Sequence, residues 1–336
     1  MIEVDTKVEQ IRDIDPNQLS HHLLNATEPV VIKGLVAHWP VVKEAVKSSR
    51  HAINYLRQFD SGKVLTGMLG EPDIDGRIFY SDDYKSFNIE YRRLALEDVF
   101  TRLDQYQSLE SPPLIYVGST NIDNWLPGFR AENDIDLHAQ APLASLWIGN
   151  QSRVAAHYDF PTNIACSVAG HRRFTLFPPE QLENLYVGPV DFTPAGQPIS
   201  TVDFAQPDYA KFPRFKDALR HARVADLEPG DAILVPSMWW HHVEALESVN
   251  VLVNYWWRNT PSYMGPPLSV LQHAMVGLRD LPDEQRAVWK NLFDHYVFNP
   301  KQEHFEHIPE TARGALNPMD EGTARNIRNM IVDKLR

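Results

Sequence analysis

The sequence predicts a mainly β fold, an antiparallel sandwich or barrel, with helices flanking it. The first observation is a series of short apolar runs that begins near Ile115, with turn residues between the runs. The second is that the 25 prolines are spread along the chain, which favours many short elements over long helices. The third is that helical periodicity replaces this pattern after Pro267. We therefore expect three segments, at residues 1–110, 111–262 and 263–336.

The sequence pattern of the N-terminal segment is typical of a mixed α/β region. Val30–Ile32 is a short β-branched run ahead of Gly34 and predicts a strand. Leu94–Leu109 carries the apolar spacing of a helix. We expect this segment to pack on the central barrel.

The central segment supplies the predicted barrel strands. These strands are Leu114–Val117, Ala144–Ile148, Val154–Tyr158, Ile164–Val168, Phe174–Phe177, Ala232–Val235 and Val249–Trp257. Ala169-Gly170-His171 separates two of them and predicts a tight hairpin turn. Pro229-Gly230-Asp231 predicts a second turn.

Three apolar stripes at helical spacing follow Pro267. They comprise Leu268, Leu271, Met275 and Leu278, then Trp289, Leu292, Phe293, Tyr296 and Val297, and finally Ile327, Met330, Ile331 and Leu335. Two interpretations stay open from the pattern alone. The stripes pack against the barrel, or they form a subunit interface.

Composition and charge exclude several classes of protein. The chain has 336 residues and a formal net charge of −12, which argues against a nucleic-acid binder. Its single cysteine, Cys166, excludes an internal disulfide and a cysteine-based zinc cluster, and we interpret it as an inert buried residue. No apolar run is long enough to cross a membrane, and the first residues lack the pattern of a secretory signal. We expect a cytoplasmic protein.

His157-Tyr158-Asp159 is the first candidate for chemistry. Residues two apart on a strand point to the same face, so the imidazole and the carboxylate would project together. Such a pair supplies two of the three ligands of a facial triad, which holds Fe(II) and leaves coordination positions open. An ordinary surface ion pair is the alternative, because a single pair of this kind is weakly specific.

The third ligand is expected from a distant strand. The segment from Pro236 to Glu244 contains both His241 and His242. Adjacent strand residues face opposite ways, so only one of these two histidines can join the site. Spacing alone does not select between them.

Several motifs in a fixed order resemble one known family. After His157-Tyr158-Asp159 come Asn163, Gly170-His171-Arg172, Phe-Pro-Pro-Glu-Gln, Pro-Gly-Asp, Trp-Trp-His-His and Val-Asn-Tyr-Trp. This order resembles the JmjC branch of the cupin superfamily, and within it the asparaginyl hydroxylases of hypoxia-inducible factor. The resemblance runs from about Ile115 to Trp257. It implies a double-stranded β-helix and an oxygenase that uses Fe(II) and 2-oxoglutarate.

The resemblance also implies roles for individual residues. It selects His242 as the third metal ligand beside His157 and Asp159. It implies that Arg172, where the family commonly has Lys, binds the far carboxylate of 2-oxoglutarate together with the hydroxyl of Tyr116. Asn163 and Asn254 would line the cosubstrate pocket, and the C-terminal helices would form a homodimer. Because side chains alternate along a strand, Arg173 is expected to point away from the cosubstrate pocket.

One departure from the family pattern bears on the cosubstrate. Three residues before His157 the hydroxylases have Thr, whereas this chain has Val154, so one hydrogen bond to the cosubstrate is lost. A different acid or weaker binding of 2-oxoglutarate is therefore an open alternative.

These residues favour one function over several alternatives. We expect hydroxylation of a protein side chain or a small molecule, with release of succinate and CO2. The alternatives are a metal-dependent cupin isomerase or dioxygenase that does not use 2-oxoglutarate, a JmjC lysine demethylase, and a non-catalytic interaction module. Glu303–His307 is also dense in potential ligands, but a solvated loop or helix end is the expected structure there.

Overall fold

A computed structural model describes residues 2–137 and 140–335. The chain divides into two compact units, Met1–Asn259 and Thr260–Arg336. The N-terminal segment, predicted as residues 1–110, lies in the same unit as the strands of the central segment. The chain passes into the second unit after Asn259, three residues before the predicted boundary.

The strands of the first unit include those that the apolar runs predict, with small shifts at their ends, and others that the sequence did not predict, at Glu9–Ile11, Val64–Gly70, Arg77–Ile78, Glu90–Ala95 and Arg223–Leu227. They are β1 (Glu9–Ile11), β2 (Val30–Ile32), β3 (Val64–Gly70), β4 (Arg77–Ile78), β5 (Glu90–Ala95), β6 (Leu114–Asn121), β7 (Leu143–Gly149), β8 (Ser152–Tyr158), β9 (Thr162–Ala169), β10 (Arg172–Phe177), β11 (Arg223–Leu227), β12 (Ala232–Val235), β13 (Trp240–Ala245) and β14 (Asn250–Trp257). Within the described residues they build a nine-stranded sheet in the order β1-β2-β12-β9-β14-β7-β6-β3-β5 and a five-stranded sheet in the order β11-β10-β13-β8-β4. The mainly β, cupin-like jelly-roll fold expected from the sequence is confirmed.

Short helices flank the two sheets in the same unit. They are α1 (His21–Leu24), α2 (Pro40–Lys47), α3 (Ser49–Arg57), α4 (Leu96–Tyr106), α5 (Ile122–Trp125) and α6 (Phe215–Arg220). Local chemistry sets their ends: Pro40 begins α2, where its missing N–H costs nothing, and the Ser48 hydroxyl accepts a hydrogen bond from the His51 amide at the start of α3. The apolar residues of α1 to α5 enter the largest core cluster, around Trp39, Phe100 and Tyr255, whereas Phe215 and Ala218 of α6 join a separate cluster with Phe177 and Trp240 of the five-stranded sheet.

The turn at Gly170 corrects one prediction about topology. The hairpin predicted at Ala169-Gly170-His171 is wrong, because β9 pairs with β12 and β14 in one sheet, whereas β10 pairs with β11 and β13 in the other. The turn carries the chain from one sheet to the opposite one. Gly170 has a φ of 74°, and a Cβ there would lie 2.3 Å from Asn250 Oδ1, so this crossing requires glycine.

The N-terminal segment is part of both sheets. β3 pairs with β6 and extends the nine-stranded sheet, while β4 pairs in parallel with β8 and forms an edge of the five-stranded sheet. Met68 on β3 and Ile78 on β4 thereby reach the cavity described below.

The second unit is helical, as the periodicity after Pro267 predicts. Its main helices are α7 (Pro267–Leu278), α8 (Asp283–Phe293) and α9 (Glu321–Lys334), and a π-helical turn at Asp294–Phe298 extends α8. Asp320 caps α9 by accepting a hydrogen bond of 2.7 Å from the Thr323 amide. In the described part of the chain, no helix combines the length and the apolar character that a bilayer crossing demands.

Candidate active site

Three potential metal ligands converge on the inner face of the five-stranded sheet. His157 is the penultimate residue of β8, Asp159 follows that strand, and His241 on β13 pairs directly with His157. One potential ligand atom from each residue lies within 4.8 Å of the others, and His241 Nε2 is 3.7 Å from Asp159 Oδ2. Within residues 2–137 and 140–335 this is the only group of three or more His, Cys, Asp or Glu residues with metal-binding geometry.

Backbone carbonyls orient both imidazole rings. His157 Nδ1 lies 2.9 Å from the Ala155 carbonyl oxygen, and His241 Nδ1 lies 3.0 Å from that of Trp239. A carbonyl only accepts hydrogen bonds, so each Nδ1 carries the proton and each Nε2 keeps its lone pair. Burial and the neighbouring His157 lower the pKa of His241, which keeps this ring neutral. Rings held in this tautomer are typical of metal-bound histidines.

The prediction that His242 is the third ligand is corrected by this geometry. His242 pairs with Thr175 on β10, and its ring packs on Phe204 at a centroid distance of 4.5 Å, on the outer face of the sheet. Both of its ring nitrogens are buried without a hydrogen-bond partner among the described residues, and burial lowers its pKa to about 3. Strand alternation therefore excludes His242 from the cavity that His241 enters.

Two histidines and one carboxylate are the donor set of a facial triad. This set suits non-haem Fe(II) and leaves coordination positions for other ligands. The three donors are close enough for modest side-chain rotations to bring them within bonding distance of one ion, at about 2 Å each. The residues present therefore fit the Fe(II) that the sequence predicts, with His241 in the place of His242.

A cavity of about 860 Å³ between the two sheets contains the triad and the predicted cosubstrate residues. The residues that it shares with the sequence prediction are His157, Asp159, Arg172, Tyr116, Asn163, Asn254 and Val154. Pro161, Pro194, Ala195 and Gln197 line it as well, from the connection between β8 and β9 and from the long connection between β10 and β11. The volume exceeds what a five-carbon acid fills, so the cavity also has room for part of a substrate.

Arg172 is a buried cation that faces this cavity. It is 3% exposed, its Nε has no hydrogen-bond partner, and no acidic residue in the described chain forms an ion pair with it. Burial lowers the pKa of Arg172 to about 10, which still leaves the guanidinium charged at neutral pH. An unpaired buried charge is costly, so this site favours an anionic ligand. Arg173 faces outward, as expected, and binds Asp226 at 2.7 Å.

Tyr116, on β6 of the nine-stranded sheet, lines the same cavity as Arg172 from the opposite wall. Burial raises the pKa of Tyr116 to about 12, so its hydroxyl stays protonated and can donate a hydrogen bond. Val154 also reaches the cavity, because a register shift between β8 and β13 pairs Val243 with Val154 but His241 with His157. The residue that replaces the family's threonine therefore faces the site.

Sequence reasoning missed further lining residues, of which Trp147 is the most informative. Its Nε1 donates a hydrogen bond of 2.7 Å to Asn254 Oδ1. Trp147 lies within a predicted strand, but no sequence pattern distinguishes a cavity-lining tryptophan from one in the core. Met68 and Ile78 were missed because they come from the N-terminal segment.

The remaining sequence candidates lie elsewhere. Cys166 is fully buried, and burial raises the pKa of its thiol, which is consistent with an inert core residue. In the Glu303–His307 segment, Phe305 is buried and the His304 ring stacks on His295 at 4.6 Å. This segment belongs to the helical second unit.

Comparison with known proteins agrees with this geometry. A family model described as a cupin-like domain matches residues 16–263. HSPB1-associated protein 1 of Homo sapiens is 36% identical over 266 residues, which cover 74% of this chain and 51% of that protein. Lysine-specific demethylase 8 of Xenopus tropicalis is 24% identical over 260 residues, covering 76% of this chain and 54% of that protein.

A third relative matches over most of its own length. tRNA wybutosine-synthesizing protein 5 of Mus musculus is 26% identical over 322 residues, covering 85% of this chain and 93% of that protein. By contrast, the chain spans about half the length of HSPB1-associated protein 1 and of lysine-specific demethylase 8. From the matched domain, the jelly-roll fold and the triad, the chain belongs to the cupin-like JmjC family of Fe(II)- and 2-oxoglutarate-dependent oxygenases, which includes hydroxylases and lysine demethylases.

Proposed function

We propose that this protein is an Fe(II)- and 2-oxoglutarate-dependent hydroxylase of a protein side chain or a small molecule. The observation that carries the proposal is the presence of two complementary sites in one cavity. His157, Asp159 and His241 offer a metal-binding triad, and the unpaired Arg172 offers a buried cation for a carboxylate. A metal-dependent cupin enzyme that does not use 2-oxoglutarate has no far carboxylate to bind, and therefore has no need for Arg172.

The side chains have distinct tasks in this mechanism. His157, Asp159 and His241 would hold Fe(II), with the Nε2 atoms free to coordinate because each Nδ1 donates to a carbonyl. Arg172 and the Tyr116 hydroxyl would bind the far carboxylate of 2-oxoglutarate. When bound, iron and cosubstrate supply an oxidant for a substrate C–H bond, and 2-oxoglutarate is converted to succinate and CO2. The buried walls of the cavity exclude water from this chemistry.

Hydroxylation of an uncharged or anionic group is favoured over demethylation of a lysine side chain. Among the described lining residues, Asp159 is the only carboxylate, and metal binding would occupy it. A substrate ammonium would therefore enter the cavity without an acidic side chain as its partner, while Arg258 repels it. Aromatic faces such as that of Trp256 could compensate only in part.

Succinate formation tests the proposal directly. The purified protein is incubated with Fe(II), ascorbate, oxygen and labelled 2-oxoglutarate, with and without a panel of peptides and small molecules. We expect succinate release that requires Fe(II) and rises with the correct substrate. The matched control is Asp159→Ala, which removes the single carboxylate of the triad. Metal binding without any binding of 2-oxoglutarate would instead favour the cupin that uses no 2-oxoglutarate.

We also propose that the second unit forms a homodimer. In the described structure of α7 and α8, no residue is buried, and Trp289 and Val276 are 43% and 87% exposed. Apolar side chains exposed on adjacent helices favour association with a second copy, for which two-fold symmetry is the default. Replacing Leu292 and Phe293 with Glu should give monomers, because it places charge in the apolar interface. Sedimentation of the unmodified protein as a monomer at micromolar concentration would contradict the proposal.

A further inference from the structure

Three side chains in the cavity wall, the half-buried Trp147 and the buried Asn254 and Asn163, form a hydrogen-bonded row with a fixed direction. Trp147 Nε1 donates to Asn254 Oδ1 at 2.7 Å, and Asn254 Nδ2 donates to Asn163 Oδ1 at 3.2 Å. An indole N–H can only donate, so it selects the oxygen of Asn254. That choice turns the Asn254 nitrogen toward Asn163, where it must meet the oxygen of the second amide.

The free end of the row is the amide nitrogen of Asn163. Asn163 lines the cavity, and no residue of the described chain accepts a hydrogen bond from its Nδ2. We propose that Trp147 is a positioning residue that, through Asn254, presents this N–H donor to an oxygen of the bound 2-oxo acid. The inference rests on the proposed function and deepens it, because it assigns the polarity of one wall of the cosubstrate site.

Packing holds Trp147 in the orientation that the row requires. Its ring meets that of Trp256 edge-on at a centroid distance of 5.7 Å and lies 6.0 Å from that of Tyr116. Gly118 on β6 leaves the space for the ring, since a Cβ at this position would lie 1.8 Å from Trp147 Cε3. The tryptophan is thus fixed by its neighbours and can act as the anchor of the row.

The chemical consequence concerns the two orientations of an asparagine amide. Rotation of both amides by 180° would keep a hydrogen bond between Asn254 and Asn163 but would direct an oxygen, instead of an N–H, at the cavity. An oxygen repels a carboxylate or keto oxygen of the cosubstrate. Trp147 removes this alternative, because the rotated Asn254 would oppose its N–H with a second N–H.

The test compares affinities for 2-oxoglutarate on protein loaded with Mn(II), which replaces Fe(II) without turnover. Trp147→Phe removes the indole donor and keeps an aromatic ring. Calorimetry should give a Kd for 2-oxoglutarate that is raised about three- to tenfold, the effect of one neutral hydrogen bond, with an unchanged Kd for Mn(II). The matched control is Trp125→Phe, because Trp125 Nε1 is buried without a partner among the described residues and lies outside the cavity lining. We expect this control to leave both constants unchanged.

A double-mutant cycle separates positioning from general loss of structure. If Trp147 acts through Asn163, adding Trp147→Phe to Asn163→Ala should raise the Kd by less than twofold further. Additive effects, or an unchanged Kd in Trp147→Phe, would overturn the inference while leaving the proposed function intact. Failure of the unmodified Mn(II) protein to bind 2-oxoglutarate would instead overturn the proposed function, and this inference with it.

Discussion

The two faces of the five-stranded sheet each carry an arginine and a histidine, but the surroundings of these side chains differ between the faces. On the inner face, Arg172 lacks an acidic partner in the described chain, and His241 directs a free Nε2 toward Asp159. On the outer face, the neighbouring Arg173 pairs with Asp226, and the ring of the neighbouring His242 packs on Phe204.

The comparison teaches that residue type and burial do not by themselves make a site. His241 and His242 are 3% and 5% exposed, so burial cannot distinguish them. They differ in the partners of their ring nitrogens. A carbonyl orients the His241 ring, which faces other potential ligands, whereas the His242 ring nitrogens have no hydrogen-bond partner among the described residues. Substitutions on matched pairs across the sheet therefore test the proposed site, because each pair changes the face and keeps the residue type.

The largest difference is expected for metal binding by the two histidines. His241→Ala removes one of three ligands and should weaken Mn(II) or Fe(II) binding about 1,000-fold or more, beyond the roughly 10- to 100-fold loss typical of outer-shell changes. His242→Leu should leave the metal affinity within about twofold of the unmodified protein. Metal titration by calorimetry measures both. Loss of metal binding in His242→Leu with retention in His241→Ala would reverse the assignment of the two faces.

The two arginines should differ in cosubstrate binding. Arg172→Ala should weaken 2-oxoglutarate binding roughly 100- to 1,000-fold, because it removes the buried cation that faces the far carboxylate, while metal affinity stays nearly the same. Arg173→Ala breaks the ion pair with Asp226, outside the cavity, and should leave cosubstrate affinity unchanged. Calorimetry on the metal-loaded variants measures the difference. Equal affinities in the two variants would mean that another cation binds the cosubstrate.

A smaller effect is expected from restoring the hydroxyl that is missing at Val154. Val154→Thr should strengthen 2-oxoglutarate binding about three- to tenfold, the contribution of one additional hydrogen bond on the inner face. Val243→Thr is the control, because Val243 pairs with Val154 across the two strands and also lines the cavity. The preference between 2-oxoglutarate and shorter 2-oxo acids is measured for each variant. An unchanged preference in Val154→Thr would place the far carboxylate away from this side chain.

The smallest effect is expected in the stability of the outer face. His242→Leu replaces a buried imidazole without hydrogen bonds by an apolar side chain of similar size, next to Phe204. The free energy of unfolding should therefore rise by about 1 kcal/mol, since the desolvation cost of an unsatisfied polar group is removed. Urea denaturation at pH 7 measures the change. A loss of stability would show that the imidazole makes a compensating interaction in solution.

The sequence by itself determined the local features of this protein. The apolar runs predicted β2 and most strands of the central segment, and the period of two predicted that His157 and Asp159 share a face and that Arg173 turns away from Arg172. These features depend on backbone geometry within a few residues, which a single sequence carries. The family motifs then added the expectation of iron and 2-oxoglutarate.

Only the tertiary structure decided features that depend on strands distant in sequence. His241 was selected over His242 by the pairing of β13 with β8, which brings His241 opposite His157. The turn at Gly170 joins different sheets because the partners of β9 and β10 come from later in the chain. The row from Trp147 to Asn163 likewise runs across β7, β14 and β9. Alternation fixes which residues share a face, but the register and partners of a strand are set by contacts that no local pattern contains.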